Sequence, residues 1–130
     1  MSWLYVFFGG GLGAMARYGL SLALPRGPGG FPYATLCVNI LGSFLIGLLL
    51  AQAMSQATSQ ATSQMLARPE ARLFLVVGLL GGFTTFSALS FEVIQLFQAR
   101  AVTQAVAYVL MSIVLGLGAC WLGMKAAGHA

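Results

Sequence analysis

The chain has 130 residues, of which 59% are apolar and 6% charged, with 6 Lys+Arg against 2 Asp+Glu. A soluble domain is about 25% charged, so a chain this short cannot cover a water-facing surface with so few charges. The mean hydropathy of +0.92 agrees, and the reading is a single-domain integral membrane protein with almost no material for acid–base enzymology. The formal charge of +4 is scattered rather than clustered, which excludes a nucleic-acid footprint. Cys37 and Cys120 sit in apolar runs and read as small buried hydrophobes. The lone His129 supports no metal site. The first residues lack a basic n-region, so no cleavable signal is expected.

A membrane helix needs about 20 apolar residues to cross about 30 Å. Four stretches qualify: about 2–24, 33–54, 73–97 and 102–124. A Pro/Gly-rich turn from Pro25 to Pro32 separates the first two. A polar low-complexity tract, Ser55 to Gln64, opens the 55–72 loop and reads as a solvated loop or a frayed helix end. The expected fold is an all-α membrane bundle of four transmembrane helices. Arg68, Arg72 and Lys125 then fall on one side of the membrane, with Arg17, Arg26 and Arg100 on or towards the other. This balance gives no strong orientation signal. It permits insertion both ways and an antiparallel homodimer, and equally one orientation chosen on other grounds. Gly9 and Gly13, Gly10 and Ala14, and Ser112 and Gly116 are spaced for close helix approach, within or between subunits.

In an apolar span the informative residues are polar. Thr35, Asn39 and Ser43 recur every four residues and form one stripe on the second helix. The stripe suits either helix–helix hydrogen bonding or an ion path. Tyr108 and Ser112 repeat the spacing on the fourth helix, where turning hydroxyls suit an anion or a helix contact. From Arg72 to Arg100 is 29 residues, about 43 Å as one straight α-helix. Its middle, Gly78 to Ser87, reads G-L-L-G-G-F-T-T-F-S, which is poor helix material. A break there absorbs the excess length and frees backbone carbonyls, hard oxygen ligands suited to a small cation. Such groups persist in a membrane only against protein or a polar cavity. Arg17 and Glu92 are the ionisable groups within the spans. Glu92 is a proton carrier, a counter-charge to an arginine or an interfacial hydrogen-bond acceptor.

Three segments carry a resemblance: G-G-G-L-G-A-M-A-R-Y (Gly9 to Tyr18), A-T-L-C-V-N-I-L-G-S-F (Ala34 to Phe44) and G-L-L-G-G-F-T-T-F-S (Gly78 to Ser87). In this order and spacing they resemble the Fluc/CrcB fluoride channels over nearly the whole chain. The resemblance implies a passive fluoride channel and not an enzyme, in the bacterial inner membrane among its lipids. It implies an antiparallel, dual-topology homodimer with two pores, the third helix broken at mid-membrane. By motif position it implies a central sodium ion on the carbonyls of Gly81 and Thr84. It also implies a fluoride pathway through Asn39, Phe86, Tyr108 and Ser112, with Thr35 and Ser87 adding hydroxyls. Arg17 and Glu92 match the family's supporting charges. The chain departs from the pattern at Leu89, where a second pore phenylalanine is usual. It departs again at Ala88 and Gly116, where hydroxyls are common. The alternative expectation is a proton-coupled small multidrug-type exporter that uses Glu92.

Overall fold

The computed structural model describes residues 1–27, 29–54 and 60–128, and every regular element among them is helical. In chain order these are α1 (Ser2–Ala23), α2 (Tyr33–Met54), α3 (Gln60–Ala67) and α4 (Pro69–Arg72). A π-helical segment (Leu73–Leu80) follows, then α5 (Gly81–Phe83), α6 (Phe86–Gln98) and α7 (Val102–Ala126). Of the polar tract, residues 55–59 lie outside the described residues, as does His129, while Gln60–Gln64 begins α3.

Three segments are long and apolar enough to cross a membrane: Tyr33–Ala53, Pro69–Gln98 and Val102–Ala126. At 22 residues α1 has the length of a span, but its glycines and Arg17 dilute its apolar character. Those glycines have another use. A Cβ on Gly9 would overlap the Phe74 carbonyl, one on Gly13 the Leu79 carbonyl, and one on Gly82 the Gly10 carbonyl. The rising numbers on both sides show that α1 and the third helical stretch run parallel, backbone against backbone. The Gly9/Gly13 spacing thus serves contact within one chain. On the other side of the bundle α2 packs most extensively on α7. Gly116 faces Ser43, Gly47 abuts the Cys120 carbonyl, and Gly123 lies against the Phe44 carbonyl and Leu48 N–H, so the numbers rise together and α2 and α7 run parallel. Small residues at these points allow dispersion and Cα–H···O contacts that larger ones would block.

The third stretch departs from a straight α-helix in two ways. Its π turns place more residues in a given length, which absorbs some of the excess length. Nothing in the 73–80 sequence announces them, since it is an unbroken apolar run apart from Gly78. The second departure is the break, and it falls at Thr84 and Thr85, both extended. Gly81 and Gly82 remain helical. The glycines are there for approach to α1 and for an open face, and the β-branched pair makes the break.

α6 ends in a Schellman turn: Arg100 N–H donates to Phe97 O (3.0 Å) and Ala101 N–H to Leu96 O (2.9 Å). Arg100 takes φ +57°, where glycine is usual. Leu96 thereby sits in a small core with Leu36, Ala105 and Tyr108, flanked by Phe31, Ile40, Leu89 and Val93. Elsewhere large apolar side chains point outward, among them Trp3, Phe7, Phe86 and Leu117.

The glycine contacts carry a paired prediction. Gly13→Ala forces a Cβ into the Leu79 carbonyl and is expected to lower unfolding free energy by about 1–3 kcal/mol. Gly11→Ala meets nothing within 4 Å and is expected to leave stability unchanged or raise it by about 0.5–1 kcal/mol. Denaturant unfolding of both variants in detergent distinguishes the two.

Candidate functional site

The polar stripe of α2 faces the third helical stretch, and its register is antiparallel. Thr35 lies opposite Glu92 and Asn39 opposite Thr85. Ser43 lines a groove with Leu80 and Gly81. A Cβ on Gly42 would overlap the Thr84 methyl, so α2 comes close enough at this level for Asn39 to reach the break.

Asn39 uses both ends of its amide on one residue. Its Nδ2 donates to the Thr85 carbonyl at 3.0 Å, and its Oδ1 accepts from the Thr85 N–H at 2.9 Å. Thr85 in turn caps α6, its Oγ1 accepting from Ala88 N–H at 3.2 Å. Ser87 Oγ stands 3.2 Å from the same hydroxyl. Upstream, Thr84 N–H and Thr84 Oγ1 both donate to the Leu80 carbonyl at 3.0 Å. In an unbroken helix Thr85 N–H would serve the Gly81 carbonyl, and Ala88 N–H that of Thr84. Both donors are engaged elsewhere, so these two carbonyls lose their helical partners.

Asn39, Ser43, Gly81, Thr84, Thr85 and Phe86 line an outward-opening groove of about 370 Å³. Phe86 is 81% exposed at its rim. A second groove of about 330 Å³ brings Arg17 of α1 together with Thr35, Thr85, Ala88 and Glu92. Glu92 is the hub on that side: Thr35 Oγ1 donates to its Oε1 at 2.8 Å and Tyr108 OH to its Oε2 at 2.7 Å. Tyr108 is fully buried, and the edge-on Phe31 ring lies 5.4 Å from its own.

The structure thus gathers the sequence candidates into two places. Asn39, Gly81, Thr84, Phe86 and Ser87 belong to the break; Thr35, Glu92, Tyr108 and Arg17 belong to the carboxylate cluster. Ser112 stands apart from both, its hydroxyl donating to the Tyr108 carbonyl at 2.7 Å. Gly116 faces Ser43, whose Oγ would lie 3.6 Å from an added Cβ. Leu89 packs against the small core. Sequence reasoning missed Thr85 as a site residue, although a threonine ahead of a helical run is a recognisable N-cap signal. It also missed Arg26, whose guanidinium holds the Gly30 carbonyl and donates to Gln95 Oε1 at 3.2 Å, tying the first turn to α6.

Residues 4–124 match the sequence profile of a family described as CrcB-like protein, Camphor Resistance (CrcB). A fluoride-specific ion channel FluC of Thermus thermophilus is 47% identical over 127 residues, covering 97% of this chain and 94% of that protein. That of Chlorobium luteolum is 45% identical over 98% of this chain and 92% of its own length. That of Granulibacter bethesdensis is 43% identical over 95% and 92%.

The carboxylate cluster is tested by removing its donors. Tyr108→Phe and Thr35→Val are each expected to cost about 1–3 kcal/mol of stability, because each leaves a Glu92 oxygen short of a partner. The double variant should depart from additivity by about 0.5 kcal/mol or more, since both donors share one carboxylate. Chemical unfolding of the three proteins measures this.

Proposed function

The chain belongs to the CrcB-like family, and from that membership we infer that it is a fluoride-specific ion channel, passive and without an enzymatic step. The observation that carries this is near-complete coverage by relatives named as fluoride-specific channels. The alternative, a proton-coupled exporter working through Glu92, gains no support from them, and both oxygens of Glu92 are engaged by hydroxyls.

Fluoride holds its water tightly, so a pathway must offer donors in exchange. The break supplies neutral ones. Asn39 Nδ2 has a second N–H beyond the one given to Thr85. Ser87 has an exposed hydroxyl. The N–H groups of Phe86 and Ser87, in the first turn of α6, have no partner within that helix. The positive edge of the Phe86 ring suits an anion and offers a cation nothing. The path we propose runs through Asn39, Phe86 and Ser87, then Thr35, Tyr108 and Ser112. Arg17 makes the potential near Glu92 more favourable to an anion.

The family implies a resident sodium ion, and the residues present fit one. The freed carbonyls of Gly81 and Thr84 are hard oxygen donors on a groove that faces outward. A bound cation there supplies positive charge beside the path. Two carbonyls are few for a cation, which favours a second copy contributing the same pair. The working unit is therefore an antiparallel homodimer of four-span subunits, α1 included, in the bacterial inner membrane. The balanced basic residues support insertion both ways. The cell would use it to lose fluoride that enters as neutral HF and dissociates inside.

Liposomes containing only this protein should release fluoride, and not chloride, when a potassium shunt is provided. Equal release of both anions would refute selectivity. Asn39→Asp should suppress fluoride flux by at least about tenfold, since it places a negative charge on the path and deletes the donor to Thr85. Fluoride-electrode recording of efflux reads both outcomes.

A further inference from the structure

The break in the third helix is held open by two side chains, and they take two particular protons. After the π turns the helix continues as far as Thr84 N–H, which still bonds the Leu80 carbonyl. The next donor, Thr85 N–H, is diverted to Asn39 Oδ1. Ala88 N–H is diverted to Thr85 Oγ1. By the i to i−4 rule these are the donors that would close the helix over the carbonyls of Gly81 and Thr84. We infer that Asn39 and Thr85 are positioning residues for the cation: by capturing these two N–H groups they keep the carbonyls of Gly81 and Thr84 free to bind it. The inference rests on the proposal that those carbonyls hold a cation, and it says which side chains make that possible.

Each carbonyl has its own guard. Asn39 acts from α2 and also donates to the Thr85 carbonyl, so it grips that residue's backbone from both sides. Thr85 acts locally, as the cap of α6. The Thr84 hydroxyl is turned to the Leu80 carbonyl, which leaves its backbone oxygen as the group on offer. Cation affinity then depends on residues that never touch the ion. It should fall when a guard loses its acceptor oxygen, because the released N–H competes with the cation for the carbonyl.

The test is a sodium titration of thermal unfolding on the purified full chain, at constant ionic strength with choline as the balancing cation. Thr85→Val keeps the shape and loses the acceptor. It should raise the sodium concentration for half-maximal stabilisation by about tenfold, while Thr85→Ser, which keeps the hydroxyl, should stay within about twofold of the original protein. Asn39→Ala carries the same prediction for the Gly81 carbonyl and stands in if Thr85→Val fails to fold. A sodium titration unchanged in Thr85→Val or Asn39→Ala overturns the positioning role. An original protein that sodium does not stabilise at all overturns the cation reading itself, and this inference with it.

Discussion

Two hydrogen bonds between Asn39 and the peptide groups of Thr85 make the broken helix possible. In an apolar bundle an unpartnered N–H or C=O is costly, and no water is present in hydrocarbon to relieve it. A helix interrupted halfway would ordinarily be driven to close. Here an amide on a neighbouring helix supplies an acceptor and a donor in the right places. The break is therefore a property of two helices together. It depends on α2 staying within hydrogen-bond reach of Thr85.

That requirement explains the tight packing around it. Gly42 lets α2 approach Thr84, and Gly47 and Gly123 bring α2 and α7 backbone to backbone. On the far side Gly9, Gly13, Gly78 and Gly82 press α1 against the stretch that leads into the break. Each contact leaves no room for a Cβ, so the helices have little freedom to slide. The Schellman turn at Arg100 and the Arg26 link to Gln95 fix the other end of α6. A rigid frame is what the proposed cation site needs, because its backbone groups cannot reorient one at a time as side chains can.

Formal charge has a narrow role in this design. Glu92 is surrounded by hydroxyl donors, with Arg17 on the same groove. The remaining polar chemistry is neutral: an amide, hydroxyls, a ring edge and the ends of a broken helix. Neutral dipoles can replace the water of an anion without binding it so strongly that it stays. On the proposed path, the low charge content seen in the composition is a feature of the route as well as of the membrane setting.

Much of this was legible from local pattern. Apolar runs marked the helices, the four-residue stripe Thr35, Asn39, Ser43 marked one face of α2, and the G-G-F-T-T run placed the break within Gly78 to Ser87. Periodicity and propensity are properties of neighbours along the chain, so a sequence carries them directly. The same sequence left open whether the stripe served packing or a path, and which residues of the run lose the helix. The fold decided that Thr84 and Thr85 do, since Gly81 and Gly82 stay helical and Gly82 is spent on contact with α1. It also decided that Thr35 meets Glu92 across 57 positions and Tyr108 meets it across 16. Such meetings depend on how helices cross and how closely their backbones approach, and no local pattern encodes what will stand opposite a given residue.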